Sequence, residues 1–443
     1  TEPATHLPDL AAGLNNLSVQ LGDMGRREEA LAASTEAVRI CRDLAATEPA
    51  THLPDLAAGL NNLSVQLGDM GRREEALATI TEAVDIRRSL TDVNREAFLP
   101  DLSAALNNLS ILLSEVGRRS ESLAAITEAT GIRRQLAQAN PDAQLPDLAL
   151  SLNNLANQMA DTGQREEALA AIAEAVDMYR ALSEANPGAF LPRLADSLNN
   201  LSVRSDDVGR HEEALAAIRE AVHIRRSLAD AHPDAYLPDL AESLNNLALY
   251  LAHVGGHDEA LAAIREAVDM YRALSEANPG AFLPRLADSL NNLSVQSDDV
   301  GRHEEALAAI REAVHIHRSL AGAHPEAHYP TLALSLNNLA LYLGHVGRHD
   351  EALLAITEAV DLCRALSEAN PDAFLPSLAD SLGNLAAVLR LLGRRAEASE
   401  AGREAEGLRN PKSTRQPPDV GTTIGLPTHL TFRDPGGGPT FEA

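Results

Sequence analysis

Histidine pairs in the second half of the chain are the residues whose types and spacing best fit metal chemistry. HVGGHD begins at His253 and HVGRHD begins at His345, and each places two histidines four residues apart beside an acid. Imidazole and carboxylate are common zinc ligands, but a zinc site needs a closed set of ligands. Each pair straddles a turn glycine, and the second histidine stands where other segments carry arginine. We therefore interpret both pairs as polar turn variation and expect no metal site.

Catalytic signatures are missing elsewhere in the sequence. The chain has no GxxxxGK[ST], HExxH or GxSxG, no CxxC pair and no EF-hand spacing. Its two cysteines, Cys41 and Cys363, are too far apart in the repeats described below for a disulfide, and we expect buried free thiols. The sequence therefore predicts no catalytic residue, no cofactor and no enzyme.

Adjacent asparagines recur in what reads as a helix, as at Asn153 and Asn154 in SLNNLANQMADTG. Asparagine is a mediocre helix former because its amide competes for backbone hydrogen bonds. One carboxamide both donates and accepts, so it can match the N–H and C=O groups of an extended peptide. The alternative is a hydrogen bond to the neighbouring helix, since buried amides normally find a partner.

A 46-residue period organises the chain. LPDL or a variant of it recurs at this step from Leu7 to Leu375, and one glycine recurs in phase, as at Gly163. Within a unit the apolar residues are spaced by three or four, which indicates helices. Pro146 fits the first turn of a helix A that ends at Gly163, and a longer helix B follows. Segments such as ANPGAF predict a loop of about six residues before the next unit.

Composition limits the partners. The net charge is −27, which argues against nucleic acid, since phosphates need clustered Lys and Arg. No apolar run approaches transmembrane length and no signal peptide is visible, so we expect a cytoplasmic protein with no membrane partner.

The repeat unit resembles the tetratricopeptide repeat (TPR). With Gly163 counted as position 15 of a hairpin of about 34 residues, Leu152 falls at position 4, Ala156 at position 8 and Ala168 at position 20, with Ile172 at position 24 and Ala175 at position 27. The length and the LNNLA segment are most similar to the long repeats of kinesin light chains, which also occur in multidomain regulatory proteins of actinobacteria.

The resemblance implies an all-α fold, a right-handed α-solenoid of nine 46-residue hairpins over residues 1–409. Residues 410–443 are rich in Pro, Gly and Thr, and they predict a disordered tail. Ser205 and Ser297 replace the usual Leu or Met at position 11, so we expect looser packing there or a hydroxyl bonded to a backbone carbonyl. Two segments are near-copies, since residues 177–224 match residues 269–316 except at Arg204 and Gln296.

Related arrays bind an extended peptide along their concave groove, with position 6 touching the peptide backbone. The resemblance therefore implies a peptide-binding site made of the position-6 asparagines, together with acids at position 13. Position 9 is mostly apolar, so the expected ligand is a basic and apolar extended segment. The candidate residues are Asn16, Asn62, Asn108, Asn154, Asn200, Asn246, Asn292, Asn338, Asn384, Asp161, Asp207 and Asp299.

Blander interpretations of the acids and histidines remain open. The acids would also fit a solvated face of an acidic chain. Position 13 alternates through Asp207, His253, Asp299 and His345, and a carboxylate near each histidine would raise its pKa.

We predict a non-enzymatic scaffold that binds a protein or peptide in its concave groove. One alternative is the sensor arm of a larger signalling ATPase or caspase-like protease, with the catalytic domain outside this chain. Another is self-assembly through the first repeat. The sequence does not predict the oligomeric state.

Overall fold

The computed structural model describes residues 6–409, apart from the side chain of Asp142. Eighteen α-helices and no strand occupy this part of the chain, which confirms the all-α prediction. The chain divides into two compact units, Thr1–Ala263 and Ile264–Ala443, and the boundary falls inside α12. The helices are α1 Leu7–Asp23, α2 Arg27–Thr47, α3 Pro49–Asp69, α4 Arg73–Val93, α5 Arg95–Glu115, α6 Arg119–Ala139, α7 Pro141–Asp161, α8 Arg165–Ala185, α9 Pro187–Asp207, α10 His211–Ala231, α11 Pro233–His253, α12 His257–Ala277, α13 Pro279–Asp299, α14 His303–Ala323, α15 Pro325–His345, α16 His349–Ala369, α17 Pro371–Leu391 and α18 Arg395–Arg409.

The helices form hairpins, in which each odd-numbered helix is the A helix and the following even-numbered helix is the B helix. Within each unit, consecutive helices pack against one another in chain order, as in an α-solenoid. A single hairpin cannot bury its apolar face, so stacking of neighbours builds the core.

A left-handed glycine ends each A helix, as predicted. Gly163 has a φ of +82°, and its N–H donates to the carbonyl of Ala160 at 2.9 Å. The next residue, Gln164, donates to the carbonyl of Met159 at 2.8 Å. These bonds satisfy the last carbonyls of the helix, and glycine is the residue that adopts a positive φ without strain.

The predicted six-residue loop between hairpins is wrong. Only Asn186 separates α8 from α9, and α9 begins at Pro187, so Pro192 lies inside the helix instead of at its start. The side chain of Asn186 accepts a hydrogen bond from the backbone of Ala189, which caps the helix five residues earlier than expected. Pro192 lacks an N–H, so the longer helix gives up a backbone hydrogen bond at that residue.

The small residues of the hairpin lie where the resemblance implied. Ala156, Ala168 and Ala175 are fully buried between the A and B layers. Leu152 and Ile172 are also fully buried. Close approach of the helices therefore excludes water from this apolar layer, the main source of stability in such a core.

Ser205 and Ser297 interrupt that core. Both side chains are fully buried, and neither hydroxyl has a hydrogen-bond partner among the described residues. The expected bond to a backbone carbonyl is therefore wrong. An unpaired buried hydroxyl destabilises the fold, because it loses its bonds to water without replacement.

Different side chains join successive A helices and successive B helices. Within each unit, A helices of neighbouring hairpins contact one another directly. Ion pairs between long Arg and Glu side chains, 2.5–3.0 Å in length, span successive B helices, and each pair is exposed and worth little by itself. Successive A helices therefore lie closer together than successive B helices, and the A helices form the inner row of each unit. Pairs of this kind include Arg42–Glu82, Arg88–Glu128, Arg134–Glu174 and Arg180–Glu220 in the first unit and Arg272–Glu312, Arg318–Glu358 and Arg364–Glu404 in the second.

Three further sequence predictions concern the thiols, the membrane and the tail. Cys41 and Cys363 are buried free thiols, as predicted. None of the helices within residues 6–409 combines the length and apolar character needed to cross a bilayer. The predicted tail at 410–443 lies outside the described residues, and the 1–409 repeat domain stays a prediction.

Candidate functional site

The asparagine pairs form hydrogen bonds between successive A helices. The position-6 side chain of one hairpin donates through Nδ2 to Oδ1 of the position-5 asparagine in the preceding hairpin, at 3.0–3.2 Å. The donor–acceptor pairs are Asn62–Asn15, Asn108–Asn61, Asn154–Asn107, Asn200–Asn153 and Asn246–Asn199 in the first unit and Asn338–Asn291 and Asn384–Asn337 in the second.

This bond occupies one N–H donor of the position-6 amide in each of these pairs. A carboxamide has two N–H donors and an acceptor oxygen, so it retains further capacity after one bond. Asn16 and Asn384 are exposed, whereas Asn62, Asn154 and Asn246 are half-buried. The asparagines therefore have a structural role between hairpins, and peptide binding by them stays a prediction.

An exposed apolar stripe runs beside the asparagines in the first three hairpins. Val19, Val65 and Ile111 occupy position 9, and 43%, 42% and 41% of their surfaces are exposed. Positions 6, 9 and 13 are spaced by three and four residues, so they share one face of the A helix. The stripe ends after the third hairpin, because position 9 is the polar Asn157 in the fourth hairpin and the buried Val203 in the fifth.

The position-13 acids stand at the C-terminal ends of A helices. Asp23, Asp69, Glu115, Asp161, Asp207 and Asp299 are each the last residue of an A helix. A carboxylate at that end is electrostatically unfavourable, because the helix dipole places negative partial charge there. Asp161 and Asp299 are exposed, whereas Asp207 is half-buried and paired with Arg204 at 2.8 Å.

Two histidine–aspartate clusters lie at the turns of the fifth and seventh hairpins. In the first cluster, Asp206 Oδ1 is 2.7 Å from His211 Nδ1 and 3.1 Å from His253 Nδ1. The two imidazole rings meet edge to face with centroids 5.3 Å apart. Asp206 is largely covered, with 14% of its side chain exposed, against 45% for His211 and 24% for His253.

The second cluster repeats this geometry in the other unit. Asp298 Oδ1 is 2.7 Å from His303 Nδ1 and 3.2 Å from His345 Nδ1. The imidazole centroids are 5.8 Å apart, with an interplanar angle of 67°.

Hydrogen bonding shifts the pKa values within these clusters. Burial alone would raise the pKa of Asp206, but the bonds with His253 and His211 outweigh it and lower that pKa below its usual range. Asp298 is affected in the same way by His345 and His303. The hydrogen bond with Asp298 raises the pKa of His345.

The sequence interpretation paired the wrong residues here. It expected a carboxylate of the position-13 ridge near each histidine, but the carboxylates that contact His253 and His345 are Asp206 and Asp298 at position 12. A usable signal was present, because Asp occurs at position 12 only in the fifth and seventh units and His occurs at position 13 only in the sixth and eighth.

A cleft of about 490 Å³ lies on the B-helix side of the first unit, between α8 and α10. Leu198 and Leu201 of α9 line it, and the Arg180–Glu220 and Arg210–Glu166 pairs lie at 2.8 and 3.2 Å among its lining residues. No predicted binding residue lines this cleft.

Stacked helical hairpins that are joined by asparagine hydrogen bonds at regularly repeating positions define a helical-repeat protein. Six segments match the tetratricopeptide repeat family model: residues 148–187, 194–234, 240–279, 286–327, 332–372 and 378–405. Together they exceed half of the chain, which therefore belongs to the tetratricopeptide repeat family. The repeats of this family stack into extended binding surfaces.

Other comparisons concern smaller regions or the fold. Residues 10–54, 55–99 and 95–151 match the model of anaphase-promoting complex subunit 5. A search of curated proteins gave no significant match.

Three solved structures illustrate the similarity in fold. The apo quorum sensor NprR from B. thuringiensis has a TM-score of 0.53 and 16% identity, covering 88% of this chain and 100% of its own. Apo RapI has a TM-score of 0.50 and 12% identity, covering 70% and 97%. BtubC from P. vanneervenii has a TM-score of 0.47 and 20% identity, covering 59% and 98%.

Proposed function

We propose that the chain is a non-enzymatic scaffold that binds an extended, basic and apolar segment of a partner protein along its A-helix face. The observation that carries this proposal is the set of acids at A-helix C-termini, beside the exposed stripe of Val19, Val65 and Ile111. Carboxylates there oppose the helix dipole, so helix stability does not account for them. A cationic partner does, because it would be attracted both by the carboxylates and by the helix ends.

The first three hairpins fit such a ligand best. Asp23, Asp69 and Glu115 are exposed at the same register as the apolar stripe, and Glu115 Oε2 also lies 3.7 Å from Arg73 Nε. An extended ligand would place apolar side chains on the stripe and Arg or Lys beside the acids. The remaining hydrogen-bond donors and acceptors of the asparagine amides would bind the backbone of the ligand independently of its side chains.

The test is selection of peptides from a random display library on the full chain. We expect enriched peptides to combine Arg or Lys with apolar residues. The double variant Asp23→Lys/Asp69→Lys should lose them, because it reverses the charge of two acids on the proposed surface.

A matched control changes the same charge on the B-helix side. Asp85→Lys/Asp92→Lys alters two exposed acids of α4 and should retain the peptides. Equal retention by both double variants, with both folded by circular dichroism, would contradict the proposed surface.

A further inference from the structure

We propose that each histidine–aspartate cluster binds one divalent transition-metal ion, with Zn²⁺ as the best match. The ligand atoms would be Nδ1 of two histidines and one carboxylate oxygen. This inference is independent of peptide binding, because it rests on the turn residues and not on the A-helix stripe.

The geometry brings three ligands together from three helices. In the first cluster, Asp206 comes from the end of α9, His211 from the start of α10 and His253 from the end of α11. One ligand atom from each residue lies within 4.8 Å of the other two, in both clusters. Ligands at 2.0–2.1 Å around a tetrahedral Zn²⁺ are about 3.3 Å apart, so the ligand atoms are already near coordinating separation.

The donor set selects the class of ion. Imidazole nitrogen suits Zn²⁺, Ni²⁺ and Cu²⁺, whereas Mg²⁺ and Ca²⁺ prefer all-oxygen sites. Three protein ligands leave a fourth position for water or for a side chain of a partner. His211 and His303 each have 45% of their side chains exposed, so solvent reaches both clusters.

Histidines elsewhere in the same register show that the clusters depend on more than the repeat. His257 and His349 begin α12 and α16 as His211 and His303 begin α10 and α14. Their hairpins carry Ala252 and Gly344 in place of the position-12 aspartate. Neither belongs to a group of three ligands within the described residues.

A bound ion would replace the two histidine–aspartate hydrogen bonds by coordination bonds. In the first unit it would join the A–B turn of one hairpin to the end of the next A helix. Metal binding to the folded chain would therefore raise its thermal stability.

The test is titration of the full chain with ZnCl₂ after treatment with a chelator, followed by calorimetry, and with CoCl₂ followed by visible absorption. We expect two ions per chain. His211→Asn should leave one ion, and His211→Asn/His303→Asn should leave none. Asp206→Asn/Asp298→Asn should weaken Zn²⁺ binding by about tenfold or more, because it removes the anionic ligand of each site.

The matched control is His257→Asn/His349→Asn, which removes two histidines from the same register and should leave both ions. The single His211→Asn variant retains the second cluster as an internal check that the chain is folded. No saturable binding of Zn²⁺ by the wild-type chain, or equal binding by the ligand variants and the wild type, would overturn the proposal. Loss of the ions in the control variant would also overturn it.

Discussion

The side-chain amide of Asn154 donates a hydrogen bond to the side-chain oxygen of Asn107, 3.0 Å away in the preceding hairpin. Asn107 is buried, with 5% of its surface exposed. The pair joins α7 to α5 through two short side chains, which is feasible only where A helices approach closely. The recurring asparagines therefore form part of the packing contact between one hairpin and the next.

Removing this donor should destabilise the fold. We expect Asn154→Ala to lower the free energy of unfolding by about 1–2 kcal/mol, because it leaves the buried oxygen of Asn107 unpaired. Asn154→Asp should cost at least as much at neutral pH, since a carboxylate cannot donate and would face that oxygen. Chemical denaturation measures both. Asn16→Ala is the control, because the described chain holds no preceding hairpin for Asn16. Similar losses at both sites would contradict a structural role for the hydrogen bond between Asn154 and Asn107.

Neutralising an acid at an A-helix end should stabilise the free protein. We expect Asp69→Asn to raise the free energy of unfolding by about 0.3–1 kcal/mol at low ionic strength, because it removes a negative charge from the negative end of the dipole. Thermal denaturation at low and high salt measures the gain and its screening. Asp85→Asn, inside α4, should change little. If Asp69→Asn lowers stability instead, the carboxylate has a structural role and the argument for function fails.

Removing the unpaired hydroxyl of Ser205 should also stabilise the chain. We expect Ser205→Ala to raise the free energy of unfolding by about 1 kcal/mol, because the buried oxygen has no partner in the described structure. Ser202→Ala provides the contrast, since its hydroxyl donates to the carbonyl of Asn199 at 2.7 Å and its removal should be neutral or destabilising. The midpoint of thermal unfolding should therefore rise in Ser205→Ala and stay unchanged or fall in Ser202→Ala. A loss of stability in Ser205→Ala would instead indicate that the hydroxyl has a hydrogen-bond partner.

His317 should make the second unit sensitive to acid. Burial, with a smaller contribution from the charge of His328, lowers the pKa of His317 from 6.5 to about 4. The unfolded chain therefore takes up this proton at a higher pH than the folded chain. The contribution of His317 to stability is complete above pH 6.5 and decreases as the pH falls towards 4, by about 3 kcal/mol.

The variant His317→Tyr isolates this contribution. Tyrosine occupies the same register at Tyr179 and Tyr271, where it is buried. We expect the difference in unfolding free energy between wild type and variant to change between pH 7 and pH 4, in favour of the variant. Burial raises the pKa of Asp288, whose Oδ1 lies 3.7 Å from Nε2, to about 6, so its protonation opposes the loss caused by His317 in the wild type, and only the comparison with the variant reports His317. A difference that is independent of pH would contradict the assignment.

Most of the fold could be predicted because it rests on local signals. The apolar spacing that includes Leu152 and the turn glycine Gly163 indicated the hairpin, and both lie where they were expected. The helix starts were predicted less well. Pro146 was read as a first-turn residue, yet α7 already begins at Pro141, because the Asn–Pro step competes as a start signal and a proline inside the helix is tolerated there.

By itself, the sequence determined the hairpin and the acidic character of the A-helix ends, since each depends on residues only a few positions apart. It also determined the period, because the same residues recur every 46 positions. Only the tertiary structure decided which side chains meet across hairpins. Asn154 pairs with Asn107 and His253 with Asp206, in each case with the position one register back in the preceding hairpin. That difference of one position depends on the axial offset between neighbouring A helices, which is set by how their apolar faces pack. The repeat length of 46 residues does not determine this axial offset, because it fixes only the number of residues between equivalent positions of successive hairpins.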